Sequence, residues 1–229
     1  MSYYRAPEKT EYVRSRALSA SARLYLEKGF TRTTVKDIAA ASGVGLPLIM
    51  RVMKSKEDIL SELVEFVLES QFEATKEFLA GYEYDPLLFY AAETTLQLHM
   101  AESSEGVRDL YATAYSLPKT TAIIQNTITN KLAALFGAYH PDWTREDFYL
   151  REIASGGIMR DFMAHPCGDW LTMERKVAAF LETTFLVYCV PKEKIQEAIR
   201  FVAQFSYPQL ARSTIQTMLE RLEHTMNSG

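Results

Sequence analysis

Helical periodicity runs through nearly the whole chain, and glycine or proline interrupts it at short intervals. Apolar residues recur three and four positions apart in segment after segment, whereas period-two alternation is scarce. The pattern predicts an all-α protein: three N-terminal helices, then a larger C-terminal helical body, divided as 1–56 and 57–229. Thr10 to Lys28 puts Val13, Ala17, Ala20, Leu24 and Tyr25 on one face, and Gly29 stands where a left-handed C-cap belongs. Thr34 is an N-cap for Val35 to Ala41, Ser42-Gly43-Val44 is a turn, and Leu46 to Met53 is a third helix with Pro47 in its first turn.

Ser55-Lys56-Glu57-Asp58 reads as a capping box opening a long helix to about Ala80, ended by Gly81. Further helices are predicted from Asp85-Pro86 to Met100, Glu105 to Leu117, Lys119 to Tyr139, Thr144 to Ala164, Thr172 to Val190, Lys192 to Tyr207 and Gln209 to Met226. Pro118, Pro191 and Pro208 act as separators. Gly156-Gly157 falls inside a helical pattern and is expected to permit close helix packing.

Charge is distributed unevenly. The chain of 229 residues carries a net −4, yet residues 1–56 hold eleven Lys/Arg against four Asp/Glu, a net of +7, leaving −11 for the rest. A cationic head on an acidic body is the asymmetry expected where one part meets a polyanion. Chance clustering on a solvated face is the plainer alternative. Cys167 and Cys189 form no CxxC pair and read as small buried apolar side chains in a reducing, cytoplasmic setting. Met1 to Pro7 lacks the apolar run of a signal peptide, and Val177 to Val190 falls short of the ~20 apolar residues of a membrane span. No membrane partner, cofactor or metal is expected. His99, His140, His165 and His224 do not cluster, and neither a GxSxG elbow nor a Gly-rich phosphate loop occurs.

Helix, glycine turn, helix over Thr34 to Met53 is the unit whose second helix enters a major groove while the first crosses the backbone. Ile38 and Ala39 pack toward the turn, and Val44 plugs between the helices. The first sixty residues resemble the DNA-binding domain of the TetR family. The matching text is Ala17-Leu18-Ser19-Ala20, Leu24 to Phe30, Thr33 to Ala39, Ala41-Ser42-Gly43-Val44 and Lys54 to Leu60. The resemblance covers about a quarter of the chain. It implies a homodimer on near-palindromic double-stranded DNA, released when a small molecule enters the C-terminal domain, with repression as the family's usual outcome. Carried over by position, Thr34 and Lys56 meet phosphates, Lys36 reaches a base edge, and Gly45 to Arg51 form the exposed face of the recognition helix; Thr33 and Lys54 are counted with them as DNA-binding. The family's usual aromatic pair in the recognition helix is here Met50 and Met53. Base readout is therefore assigned to Lys36 and Arg51, with Leu46, Pro47 or Leu48 on thymine methyls and Met50 also exposed.

The C-terminal helices are rich in aromatic and methionine side chains. Phe89, His99, Met100, Tyr111, Tyr115, Phe136, Met159, Phe162 and Met163 are candidates for a pocket taking a small apolar or aromatic ligand, with Tyr111, Tyr115 or His99 as polar contact. The same spacing suits plain core. Two late helices, Arg151 to Ala164 and Thr172 to Val190, are the candidates for a four-helix dimer interface, with Phe180, Leu181, Phe185 and Tyr188 toward the partner or, equally, in the core; the helices after Pro191 are the alternative. A helical binding protein with a degenerate DNA reader is the second functional reading, and a helical enzyme, for which no acid/base constellation is seen, the third.

Overall fold

The computed structural model describes residues 5–227, and side chains from Thr10 to His224; the sequence reading of Met1 to Pro7 falls on residues whose side chains lie outside the described ones. Eleven helices and no strand occur among the described residues: α1 (Arg5–Lys28), α2 (Val35–Ser42), α3 (Leu46–Met53), α4 (Lys56–Phe78), α5 (Pro86–Glu102), α6 (Glu105–Ala114), α7 (Pro118–Phe136), α8 (Arg145–Ala164), α9 (Met173–Val187), α10 (Lys192–Val202) and α11 (Tyr207–Asn227).

Local chemistry sets most of the boundaries. Thr34 and Thr144 each form a complete capping box, with Asp37 and Asp147. Ser55, Asp85, Ser104 and Thr172 cap α4, α5, α6 and α9 through their side-chain oxygens. Gly29 (φ +86°) and Gly43 (φ +68°) take the left-handed conformation that ends α1 and α2. Pro208 was read as a separator. It lies instead in the first turn of α11, where a missing N–H costs nothing, and α10 has already stopped at Val202.

The head is α1–α3, closed around Val13, Ala17, Tyr25, Ile38, Val44, Ile49 and Met53, all buried. Helix α4 leads from it into the body. There α5 is the central element, packed against α4 and α6 through α11. Its environment explains its composition: Glu93, Thr94, Thr95 and Gln97 are as buried as Leu96 and Leu98, so it has no solvent face. The head is also tied to the body along α1, which packs against α6 and α11. Helix α11 carries ion pairs from Glu223 to Arg23 in α1 and from Arg221 to Glu73 in α4.

Two expectations fail in the body. Cys189 is exposed, with φ +55°, and Cys167 is half-buried, because both sit in turns that close helices rather than on an inward face. Gly157 faces open space; only Gly156 approaches another helix, where a Cβ would lie 3.9 Å from the Tyr115 ring.

Candidate DNA-reading head and ligand chamber

Helix α3 presents a solvent face built from Gly45, Pro47, Met50 and Arg51, while Ile49 and Met53 anchor it from beneath. Met50 is 43% exposed, high for a methionine with a core available beside it. Leu46 and Leu48 are half-buried at the edge of this face. Lys36 on α2, Arg51 on α3 and Lys54 beyond it are exposed, and none has an ion-pair partner among the described residues. Lys54 holds φ +61°, uncommon for a lysine, at the tight α3–α4 junction.

The head is braced internally. Arg16 on α1 donates from Nε (2.9 Å) and Nη2 (2.6 Å) to the carbonyl oxygen of Ser42, fixing the turn. Lys28 lies 3.0 Å from Asp37, whose carboxyl is pulled down to about 2 by the Thr34 backbone N–H, by Lys28 and by the Thr34 hydroxyl. Thr34 Oγ1 is accordingly engaged with Asp37 while remaining exposed.

Two sequence assignments are corrected here. Lys56 is half-buried, with its ammonium engaged inside the head. Its ammonium donates to the carbonyl oxygens of Phe30 (3.0 Å) and Thr33 (2.9 Å) and lies 3.9 Å over the Phe30 ring. Desolvation holds its pKa below the ordinary lysine value. Thr33 is buried, its hydroxyl donating to Gly29 O at 2.7 Å. Both side chains are engaged at the α1–α2 turn, Thr33 buried and Lys56 half-buried against two carbonyl oxygens.

In the body a chamber with about 750 Å³ of empty volume, its mouth included, opens between α1, α4, α5, α6, α7 and α11. Its walls are apolar, from Leu26, Leu63, Val107, Met218 and Leu222 among others. The polar groups are few: Gln71, Gln97, Tyr111 and Tyr115. Gln71 Nε2 donates to Tyr111 Oη, and its Oε1 is buried without a partner. A second, smaller space of about 350 Å³, its open mouth included, lies between α5, α7 and α8; it shares Gln97 and Tyr115 with the first and adds Tyr90, Glu93, Glu152, Ser155 and Met159.

Of the nine pocket candidates, Met100, Tyr111 and Tyr115 line the large chamber and Met159 the smaller cavity. The others do not meet there. Phe89 packs with Phe72 and Tyr84. His99 stacks on Tyr207. Phe136 joins Tyr90 and Tyr188, Phe162 meets Phe180, and Met163 is core. Missed were the α11 residues and the two glutamines, although polar residues inside an otherwise apolar α5 run were a visible signal. Phe180, Leu181, Phe185 and Tyr188 are 0% exposed within one protomer, so no partner can touch them. They form the α9 core stripe; the solvent side of α8 and α9 instead exposes Leu150 (63%), Ile153 (47%) and Leu186 (67%).

A three-helix head with an exposed second helix of the motif, mounted on an all-α body, defines a helix-turn-helix protein. Residues 17–63, the three-helix head and the start of α4, match the family described as bacterial regulatory proteins, tetR family. The solved structure of RolR in complex with resorcinol superimposes with a TM-score of 0.66 at 16% identity, covering 87% of this chain and 97% of that one. A TetR-like transcriptional regulator from Rhodococcus sp. RHA1 gives 0.49 at 15% identity, covering 78% and 97%. A gamma-butyrolactone receptor gives 0.46 at 18%, covering 90% and 99%. Comparison with curated proteins found no significant match. No helix among the described residues is long and apolar enough to cross a membrane.

Proposed function

We propose that the protein is a ligand-responsive transcriptional repressor of the cytoplasm, binding near-palindromic double-stranded DNA as a homodimer. Residues 1–56 read the duplex and 57–229 sense the ligand and dimerise. The observation that carries this reading is the shared wall: Ala22 and Leu26 of α1, a head helix, line the same chamber as α4 and α6. Whatever occupies that chamber touches the elements that aim α3. Phosphate contact falls to Lys54 and to the Thr34 end of α2, base readout to Lys36 and Arg51, and thymine-methyl contact to Leu46, Pro47, Leu48 or Met50.

The transmission has definite contacts. Gly106 at the start of α6 lies so close to α1 that a Cβ there would fall 2.5 Å from Leu26 O. Asp109, one turn on, holds the α1–α2 turn through Thr31. Lys119 at the start of α7 bonds Asp58 in the first turn of α4. An occupant that shifts α4 or α6 therefore shifts the head, and by linkage the duplex lowers affinity for that occupant by the same factor. RolR, which has the same fold, was solved with the small aromatic resorcinol. The apolar walls here favour a small apolar or aromatic body.

Selection of bound duplexes from a random pool, with and without candidate ligands, tests the reading. Enriched inverted half-sites, lost when ligand is added, are the expected result. Recovery of no sequence preference at low salt would overturn the reader and leave a helical binding protein.

A further inference from the structure

Glu93 in α5 and Glu152 in α8 are both buried, and both line the smaller cavity. Neither takes part in a salt bridge among the described residues. Glu93 Oε1 accepts from Gln97 Nε2 at 2.7 Å, and Glu152 Oε2 accepts from Ser155 Oγ at 2.8 Å, which also meets Tyr188 Oη at 2.7 Å. Neutral donors of this kind do not compensate a buried carboxylate, whose burial is costly unless a cation or a proton joins it. Lys131, whose charge acts to lower the Glu93 carboxyl, forms no ion pair with it; its Nζ lies 4.1 Å over the Phe72 ring. Desolvation raises the Glu93 carboxyl to about 7 and that of Glu152 to about 8, the latter raised further by the Glu93 charge.

Two further features of the cavity fit a positive guest. Phe72, Tyr90 and Tyr115 line it, and aromatic faces attract cations. Next door, Gln71 Oε1 is a fully buried acceptor with no donor, in the wall of the large apolar chamber. The two spaces are separated by Gln97 and Tyr115, which are joined by one 3.4 Å hydrogen bond.

We infer that the chamber takes an organic cation, its apolar body among the α4, α6 and α11 side chains and its ammonium-type head between Glu93 and Glu152. The inference rests on the reading of that chamber as the ligand site. A cationic head supplies the charge that both carboxyls lack and donors for the glutamate oxygens. An anionic head would meet two buried acids, with the Lys131 ammonium already placed over the Phe72 ring.

The test is a matched series, 4-phenylbutylamine, 4-phenylbutanol and 4-phenylbutyrate, titrated calorimetrically into the full chain and into E93Q, E152Q and the double variant. The ammonium compound is expected to bind the wild type at least tenfold more tightly than the alcohol, with the carboxylate weakest. The glutamine variants are expected to remove that preference while leaving the alcohol unchanged. The order of affinities in the wild type is itself decisive, so a variant that fails to fold does not spoil the test. Equal binding of amine and alcohol overturns the cationic class and leaves the apolar chamber as ligand site. Failure of all three compounds to bind overturns the cationic class together with that reading of the chamber.

Discussion

Asp109 in α6 accepts two hydrogen bonds from Thr31, one from its backbone N–H and one from its hydroxyl, each 2.8 Å long. A charged acceptor on the C-terminal body thereby holds the turn from which α2 starts. Removing it in Asp109→Ala is expected to cost about 1–3 kcal/mol, the scale of a hydrogen bond to a charged group. The Thr31 amide is expected to exchange faster with solvent than in the wild type, while α8 and α9 amides are unaffected. Native-state hydrogen exchange reads both. Unchanged protection at Thr31 would mean that other contacts carry the coupling.

Exposure and pairing divide the cations of the head into two sets. Lys36, Arg51 and Lys54 project into solvent, whereas Lys56 is tied to two carbonyl oxygens and the Phe30 ring. Each phosphate neutralised adds about 0.9 to the slope of log affinity against log salt. Lys54→Ala is thus expected to flatten the slope by about one unit. Lys56→Met is expected to leave the slope and lower the melting temperature. Fluorescence anisotropy on a random duplex at graded salt separates them, and a flattened slope for Lys56→Met would restore it as a phosphate contact.

The contrast between these lysines shows what was legible in the amino-acid sequence. Caps are local, so Thr34, Gly43, Ser55 and Thr144 could be read from a few neighbours, and with them the helix-turn-helix. Lys56 could not, because its partners Phe30 and Thr33 lie 26 and 23 residues earlier, across the α1–α2 turn. The pocket was half visible: aromatic and methionine residues mark a helical interior but not which of them meet a void. Tyr111 and Phe136 look alike in sequence, and only packing puts one at the chamber and the other against Tyr90 and Tyr188. Proline misled at 208 because the same residue that ends one helix also suits the first turn of the next.

Glu93 and Glu152 make stability depend on pH with a definite sign. Burial raises both carboxyls, to about 7 and about 8, above the ordinary glutamate value of 4.5. Between these limits the native state binds more protons than the unfolded chain, so stability falls as pH rises. The stabilisation is fully present below pH ~4.5 and is lost as pH climbs through the two raised values. The unliganded protein is expected to melt at a lower temperature at pH 8.5 than at pH 6, and E93Q/E152Q to flatten the difference. Calorimetric melts across that range check it; a wild type more stable at pH 8.5 would contradict the buried, unpaired state of the two acids.

Lys176 is 1% exposed and bonds Glu102 Oε2 at 2.8 Å and His165 O at 2.5 Å. Glu102 Oε1 in turn accepts from Arg108 and from the Cys167 N–H, both at 3.0 Å, so one carboxylate joins α5, α6, α9 and the 165–172 connection. Deleting one member of such a buried pair costs roughly 3–5 kcal/mol, because the other charge is left uncompensated. Glu102→Ala is expected to reach that range, with the double change to Glu102→Gln and Lys176→Met less damaging than the single one. Chemical denaturation of wild type, Glu102→Gln, Lys176→Met and the double variant, alongside Glu102→Ala, tests this, and additivity of the two single effects in the double would argue against coupling.

The surface of α8 and α9 makes the last prediction. Leu150, Ile153 and Leu186 stand in solvent in the single chain, while Phe180, Leu181, Phe185 and Tyr188 are enclosed. The two sets therefore answer to different perturbations. A charge at Leu150 or Leu186 meets water in the single chain and costs little there; in the proposed homodimer, with this face as the interface, it would meet its own copy across the two-fold, where like charges repel. Leu186→Glu is expected to leave the far-ultraviolet spectrum intact and shift sedimentation toward the monomer. Phe180→Ala removes a fully buried ring and is expected to cost about 3–5 kcal/mol in unfolding without selectively dissociating the dimer. Sedimentation velocity with denaturant melts on the same samples distinguishes them. A Leu186→Glu protein that sediments like the wild type would move the interface to another face, with α10 and α11 the next to examine by the same substitution.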